Sequence, residues 1–308
     1  MSIPHLVQYQ GSKRSLAPVI SSYYPAKFRR FIEPFSGTGA MSIYTASQAL
    51  CDQYILNDIN RQIINMLENC IDRPGDLAYE YSKIWEKQFD EKENSVDYYY
   101  KMRKLFNDNK DTPNAALTLF ILARGAKGAV RYNQAGEMNQ ICDRRRCGTK
   151  PETVLKNAEA ISKLLKGKTT FYSTDYRDVL AMAEPGDLVY MDPPYQGVSN
   201  VRDCRYYSGI EFDGFVEAID RLNQRGIDFL ISYDGKCGDK QYGKDLPDGL
   251  NLQKVLLNAG LSSQSLLLGK KEVTYEALYI SRSLQQYKPR PAVELQYSFL
   301  EAMTDEAG

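Results

Sequence analysis

The chain of 308 residues contains one histidine, His5. That scarcity argues against a triad or a general base built on imidazole. Cysteine is sparse as well: six residues, at positions 51, 70, 142, 147, 204 and 237, form no CxxC pair. Cys142 and Cys147 are the nearest two, and a zinc site there would need two further ligands close by, so no metal is expected. Free thiols in a cytoplasmic protein are the expectation. An excess of positive charge is also missing. Lys+Arg and Asp+Glu stand at 39 each, so a nucleic-acid partner would have to be held by a local patch. No apolar run is long enough to span a bilayer, and the N-terminus lacks the apolar core of a signal peptide. What remains is 43% hydrophobic and 25% charged residues. This is the composition of a soluble globular chain with an ample core, in one large domain or two.

The most informative stretch is Asp187-Leu188-Val189-Tyr190-Met191-Asp192-Pro193-Pro194-Tyr195. A short apolar run entered from Glu184-Pro185-Gly186 reads as a buried strand. It ends on a carboxylate, two prolines and an aromatic, at the strand edge where open α/β sheets bind ligands. The prolines stiffen the loop and remove two amide donors, leaving carbonyls free to accept. Asp192 and the Pro193 carbonyl could then accept both N–H bonds of an exocyclic amine, with Tyr195 stacked on a flat ring. A nucleobase amine fits. A proline-terminated core strand with no function is the competing reading.

Three earlier segments bear on a ligand pocket. Gln8-Tyr9-Gln10-Gly11-Ser12-Lys13 is a polar turn before an apolar, helix-like run over residues 15–23. Its lysine is either solvated or directed at a carboxylate-bearing ligand. Glu33-Pro34-Phe35-Ser36-Gly37-Thr38-Gly39 joins a strand at residues 31–32 to a helix over 41–49. Its glycines allow close approach of a ligand at a helix N-terminus. The third glycine of a dinucleotide fingerprint would fall on Ser42, so this is not that motif. A second strand, residues 53–56, runs into Asn57-Asp58-Ile59-Asn60, where Asp58 is placed for a ribose. The alternative role for Asp58 is the N-cap of the next helix. Asp175 repeats the pattern after a strand at residues 169–173.

From about residue 62 to 165 the alternation of strand and helix stops. Helical patterns occupy residues 63–70, 77–89, 115–123 and 152–166, residues 97–106 are a Tyr-rich segment bearing Lys and Arg, and a hairpin or tight loop is expected at Asn133-Gln134-Ala135-Gly136. Between Arg124 and Lys150 there are seven basic residues against two acidic ones. Arg124, Lys127, Arg131, Arg144, Arg145 and Arg146 interleave with Asn133, Gln134, Asn139 and Gln140, the side-chain types that contact phosphates and base edges. In a globally neutral chain this is the candidate DNA surface. Further on, residues 205–209 form a loop able to close over the pocket. Residues 212–222 read as a helix, 227–234 as a strand, 252–258 as a helix, and 263–268 with 276–281 as an antiparallel pair. Residues 285–308 look peripheral.

Taken together these residues resemble the Dam-like (D12-class) DNA adenine-N6 methyltransferases, in the family's order over most of the chain. Tyr9 to Lys13 is similar to the family's aromatic-x-G-G-K opening, with Ser12 for the second glycine and Tyr9 for the usual tryptophan. Residues 33–39 match E-P-F-x-G-x-G, residues 57–60 the D-x-N after strand two, and Asp192-Pro193-Pro194-Tyr195 the D-P-P-Y motif. Arg131-Tyr132-Asn133 through Asn139 is similar to the hairpin of the target-recognition region. After Asn139 the family's V-P-F-G-x-Y run is replaced by Gln140-Ile-Cys-Asp-Arg-Arg-Arg-Cys-Gly, so the family's usual target sequence does not carry over.

The resemblance implies a Rossmann-like methyltransferase fold over residues 1–62 and 165–284. A mostly helical DNA-recognition insert would occupy 63–164. It implies S-adenosylmethionine as methyl donor, with Phe35, Gly37 and Gly39 along the methionine part and Asp58 on the ribose. Tyr9, Lys13, Glu33, Asp175 and Asp192 would complete that pocket. Asp192, Pro193, Pro194 and Tyr195 would be catalytic, on an adenine flipped from double-stranded DNA. A restriction–modification or phage setting follows from the family alone, and the former admits a cognate endonuclease as partner. The rival readings are cytosine-N4 methylation, methylation of RNA or protein, and a DNA-binding module without catalysis.

Overall fold

The computed structural model describes residues 3–90, 94–128, 131–133, 135–194, 210–237, 240–241, 244–261 and 273–286. Its strands are β1 (Phe31–Glu33), β2 (Tyr54–Asn57), β3 (Thr169–Tyr172), β4 (Leu188–Met191), β5 (Asp228–Cys237), β6 (Lys240–Gln241), β7 (Gln253–Leu261) and β8 (Val273–Ile280). They form one sheet in the order β3-β2-β1-β4-β5-β8-β7, with the two-residue β6 paired to β5. The first five strands are parallel. β8 lies antiparallel between β5 and β7. The architecture is a Rossmann-like α/β methyltransferase fold.

Strands β1, β2 and β4 are buried along their whole length, as parallel strands covered on both faces must be. The period of two then sends neighbours to opposite layers. Phe31, Leu56, Leu188 and Tyr190 enter one core cluster, while Ile32, Ile55, Val189 and Met191 enter the other.

The helices are α1 (Ala17–Ser21), α2 (Ala40–Ser47), α3 (Arg61–Asp72), α4 (Pro74–Glu86), α5 (Ser95–Asp108), α6 (Ala115–Arg124), α7 (Pro151–Leu165), α8 (Tyr176–Ala181) and α9 (Phe212–Gln224). Helices α1 to α7 contribute to the first cluster, and α8 and α9 to the second. Asn60, Asn94 and Asn114 cap α3, α5 and α6 by accepting backbone N–H bonds, and proline opens α4 and α7. Both devices satisfy or remove the orphan donors of a helix start. Helices α3 to α7 carry the chain from β2 to β3, and their buried side chains join the sheet's in one continuous core.

One expectation is corrected. Residues 252–258 are not helical: β7 begins at Gln253 and pairs with β8. Alternation decides it, since Leu257 is buried while its neighbour Leu256 is exposed. A short apolar run does not separate the two structures by itself. The expected strand at 263–268 lies outside the described residues; β8 takes β7 as its antiparallel partner instead. Among the described residues no helix is long and apolar enough to cross a membrane.

Candidate active site

In the sheet order the chain reverses between β1 and β4, the point where doubly wound folds bind ligands. A cleft opens there. Its walls are the glycine-rich turn after β1, Asn57 to Asn60 after β2, Thr174 to Tyr176 after β3, and Asp192 with Pro194 after β4. Tyr9 to Lys13 close one side.

The turn after β1 depends on two left-handed glycines, Gly37 at φ +49° and Gly39 at φ +70°. A Cβ on Gly37 would lie 3.3 Å from the Tyr9 ring, and one on Gly39 would lie 3.2 Å from Leu56. The first glycine therefore lets Tyr9 lie against the turn, and the second lets α2 start close to the sheet. Asp58 holds the turn: Oδ2 accepts from the Gly37 N–H at 3.0 Å and Oδ1 from the Asn60 N–H at 2.9 Å. The N-cap of α3 is Asn60, not Asp58. Burial pushes the Asp58 carboxyl up. Phe35 packs on Tyr176 at 5.1 Å between ring centres, giving the cleft an aromatic wall. Asp175 lines the cleft too, but its carboxylate caps α8 and pairs with Arg177, whose hydrogen bond is the main reason its pKa is lowered.

Glu33 is buried at the end of β1 and accepts from the Ser42 N–H and hydroxyl at 3.1 and 2.5 Å. It thereby ties the first turn of α2 to the sheet. Burial, with Asp192 nearby, raises its pKa from 4.5 to about 8. The folded protein keeps a proton that the unfolded chain has already released. Stability therefore falls with rising pH across that window, by about 1.4 kcal/mol per unit. In Glu33→Gln this dependence should vanish, so that the variant gains on the wild type between pH 5 and 8. Denaturant titrations at several pH values check this; a constant difference would contradict it.

The catalytic candidate does not stand alone. Lys13, at the start of a 3₁₀ turn, is buried with Nζ 3.1 Å from Asp192 Oδ1 and 3.4 Å from Glu276 Oε2, and it also donates to the Gly11 carbonyl. Burial alone would lower its pKa; the two carboxylates outweigh that and hold it well above the ordinary lysine range. Of the two roles left open for Lys13, the solvated one is excluded by its burial, and the side chain lines the cleft paired with protein carboxylates. Glu276 is a member of the site that the sequence reading does not include. Its one available signal is an acidic residue inside the otherwise apolar or neutral strand β8. Behind the cleft the Tyr190 and Ser232 hydroxyls bond at 2.7 Å, joining β4 to β5. Pro193 and Pro194 follow Asp192, whereas Tyr195 and the loop expected at 205–209 lie outside the described residues. Among the described residues no three metal-binding side chains cluster.

The basic segment divides. Arg131, Asn139, Arg144, Arg145 and Arg146 are exposed, and Lys127 falls in the 3₁₀ turn Ala126–Gly128. A turn of the expected kind joins Tyr132 to Met138, closed by Gly136 N–H to the Asn133 carbonyl and Asn139 N–H to the Arg131 carbonyl. Asn133 builds this turn with both ends of its amide, accepting from Ala135 and Glu137 and donating to the Glu137 carboxylate. It is thus engaged internally rather than held out to a base. Gln140 is buried and donates to the Ala126 carbonyl. Arg124 is the clearest correction: it is 1% exposed. Its guanidinium donates to the carbonyls of Asp143, Arg146 and Ser95. A residue read as a DNA contact is instead a pin beneath the loop that carries the exposed arginines.

The family model for D12 class N6 adenine-specific DNA methyltransferases matches residues 9–258. The chain belongs to that family. It is 32% identical over 202 residues to a DNA adenine methylase of Serratia marcescens, covering 65% of this chain and 70% of the relative. It is 30% identical over 233 residues to the DNA adenine methylase of Escherichia coli K12, covering 73% and 79%. Identity to the type II methyltransferase M1.LlaDCHI of Lactococcus lactis subsp. cremoris is 27% over 260 residues, covering 80% and 86%. The chain is therefore an adenine-specific DNA methyltransferase, and DNA is its substrate.

Proposed function

We propose that the cleft binds S-adenosylmethionine and that Asp192, Pro193, Pro194 and Tyr195 act on an adenine extruded from double-stranded DNA. The reading rests chiefly on Asp192 and the Gly37 turn lining one cleft at the switch point of the sheet. The cleft has the features such a donor needs: a turn that a Cβ would obstruct, a half-buried carboxylate at Asp58, and an aromatic wall at Phe35 and Tyr176. Phe35, Gly37 and Gly39 would hold the methionine part and Asp58 the ribose, with Tyr9, Lys13, Glu33 and Asp175 completing the pocket. When bound, the donor supplies a methyl group on a sulfonium.

The adenine amine is a poor nucleophile because its lone pair is delocalised into the ring. Acceptance of its N–H bonds by Asp192 and the Pro193 carbonyl favours a more tetrahedral nitrogen and fixes its aim. Reaching that pocket requires the base to leave the duplex. Residues 63–164 would form the recognition insert, with Lys127, Arg131, Asn139, Arg144, Arg145 and Arg146 toward the DNA. Cytoplasmic action in a restriction–modification system or a phage, with a cognate endonuclease in the first case, accords with the type II relative. The test is transfer of labelled methyl to duplex DNA followed by digestion to nucleosides. Label in N6-methyladenine is expected; label in N4-methylcytosine, or none, would overturn the reading.

A further inference from the structure

A line of hydrogen bonds runs from the basic segment to the glycine turn of the cleft. Around residues 133–136 the side chains alternate in exposure. Arg131 is exposed and Tyr132 buried on one arm; Asn139 and Ile141 are exposed and Met138 and Gln140 buried on the other. Extended backbone puts successive side chains on opposite faces, so the arm that presents Arg131 outward sends Tyr132 inward. There Asn60 Nδ2 donates to the Tyr132 hydroxyl at 2.7 Å. The Asn60 N–H donates in turn to Asp58 Oδ1 at 2.9 Å, and Asp58 Oδ2 accepts from the Gly37 N–H at 3.0 Å. All four residues line the cleft. A second contact reaches the same turn from the same segment: the Gln10 N–H donates to the Gly128 carbonyl at 2.8 Å, and its neighbour Tyr9 lies against Gly37. The other arm is held elsewhere, by Asn107 on the Met138 backbone and by Tyr99 and Arg103 on the Gln140 carbonyl.

We propose that Tyr132 is a positioning residue that links DNA docking to donor binding: its hydroxyl, through Asn60 and Asp58, holds the Gly37 turn in the form the donor needs. The inference rests on the donor pocket and the DNA face proposed above. A turn built on two left-handed glycines has little stiffness of its own, because glycine leaves that conformation readily. Contact of DNA with Arg131 fixes the arm, and the Tyr132 hydroxyl then fixes the Asn60 amide. The Asp58 carboxylate is left with fewer arrangements in which to hold Gly37. Ordering that DNA has already brought about is no longer drawn from donor affinity. Linkage is reciprocal, so the donor tightens DNA binding by the same factor.

The test is titration of the full-length protein with S-adenosylhomocysteine, which has no methyl to transfer, alone and with a saturating duplex that the wild type methylates. In the wild type, DNA should tighten this binding at least about fivefold, and Tyr132→Phe should cut that ratio at least about threefold. Asn60→Ser keeps a helix cap but has no amide. It should cut the ratio as far, and the double variant should cut it no further. A direct contact with the ligand, or a looser fold, would weaken both titrations alike and leave the ratio unchanged. A wild-type ratio near one, or an unchanged ratio in either folded variant, overturns the proposal. Hydrogen exchange in the wild type needs no variant: duplex alone should slow exchange of the Gly37 and Asn60 amides, and unchanged exchange there also defeats the idea. Absence of S-adenosylhomocysteine binding in both titrations would remove the donor assignment and the linkage with it, whereas equal binding with and without DNA removes the linkage alone.

Discussion

Asp192→Ala is expected to lower methyl transfer by at least about 10²–10³-fold, the loss found when one preorganised polar group is removed from a reacting centre. The carboxylate stands at the C-terminal end of β4, in the cleft, with Oδ1 held 3.1 Å from a buried ammonium. Alanine removes the acceptor for the amine and the nearer of the two carboxylates paired with Lys13. Asp192→Asn keeps one carbonyl acceptor but no charge, so its loss should be smaller than that of alanine. Single-turnover rates at saturating donor separate this effect from donor binding, which Asp192 also touches. The melt should remain cooperative, because Asp192 lies at the rim of the site and not in the core. A near-normal single-turnover rate in the alanine variant would defeat the catalytic assignment.

Much of this centre is readable from the chain because its parts are contiguous and local. β4 is an apolar run with a proline stop, and the turn at Gly37 and Gly39 needs conformations that favour glycine. Even the order of the strands around the cleft follows from alternation of strand and helix on either side of the insert. Pairings between distant segments are not readable in this way. Glu276 meets Lys13 across more than 260 residues, and only the placing of β8 beside β5 brings them together. Arg124 misleads for a related reason. At the end of an apolar helix in a basic stretch, an arginine reads as an exposed contact for DNA. The three carbonyls that hold it come from residues 95, 143 and 146. Strand β7 escapes the sequence pattern because four apolar side chains within six residues fit either period.

The exchange of roles within the basic segment yields the second large effect. Arg124→Ala should destabilise the fold by about 3 kcal/mol or more, since each buried carbonyl left without its donor costs about 1–3 kcal/mol. Three carbonyls lose their donor, and Gly148, where a Cβ would lie only 3.3 Å from the Arg124 methylenes, loses its packing surface. Lysine is no substitute, since a single ammonium cannot reproduce the planar fork. Tyr81, Trp85 and Gln88 donate to the Thr149 and Cys147 carbonyls of the same loop, so its far end should stay anchored while residues 143–146 loosen. Arg144→Ala and Arg145→Ala should behave in the opposite way. Both side chains are exposed, and their removal should leave stability within about 0.5 kcal/mol. DNA affinity should drop, and the slope of log K against log salt should flatten by about 0.9 for each phosphate no longer neutralised. Denaturant unfolding and salt-dependent anisotropy with labelled duplex measure the two sides. An Arg124→Ala protein as stable as the wild type would show that the buried guanidinium is dispensable, and an unchanged salt slope in the double alanine variant would detach this loop from DNA binding.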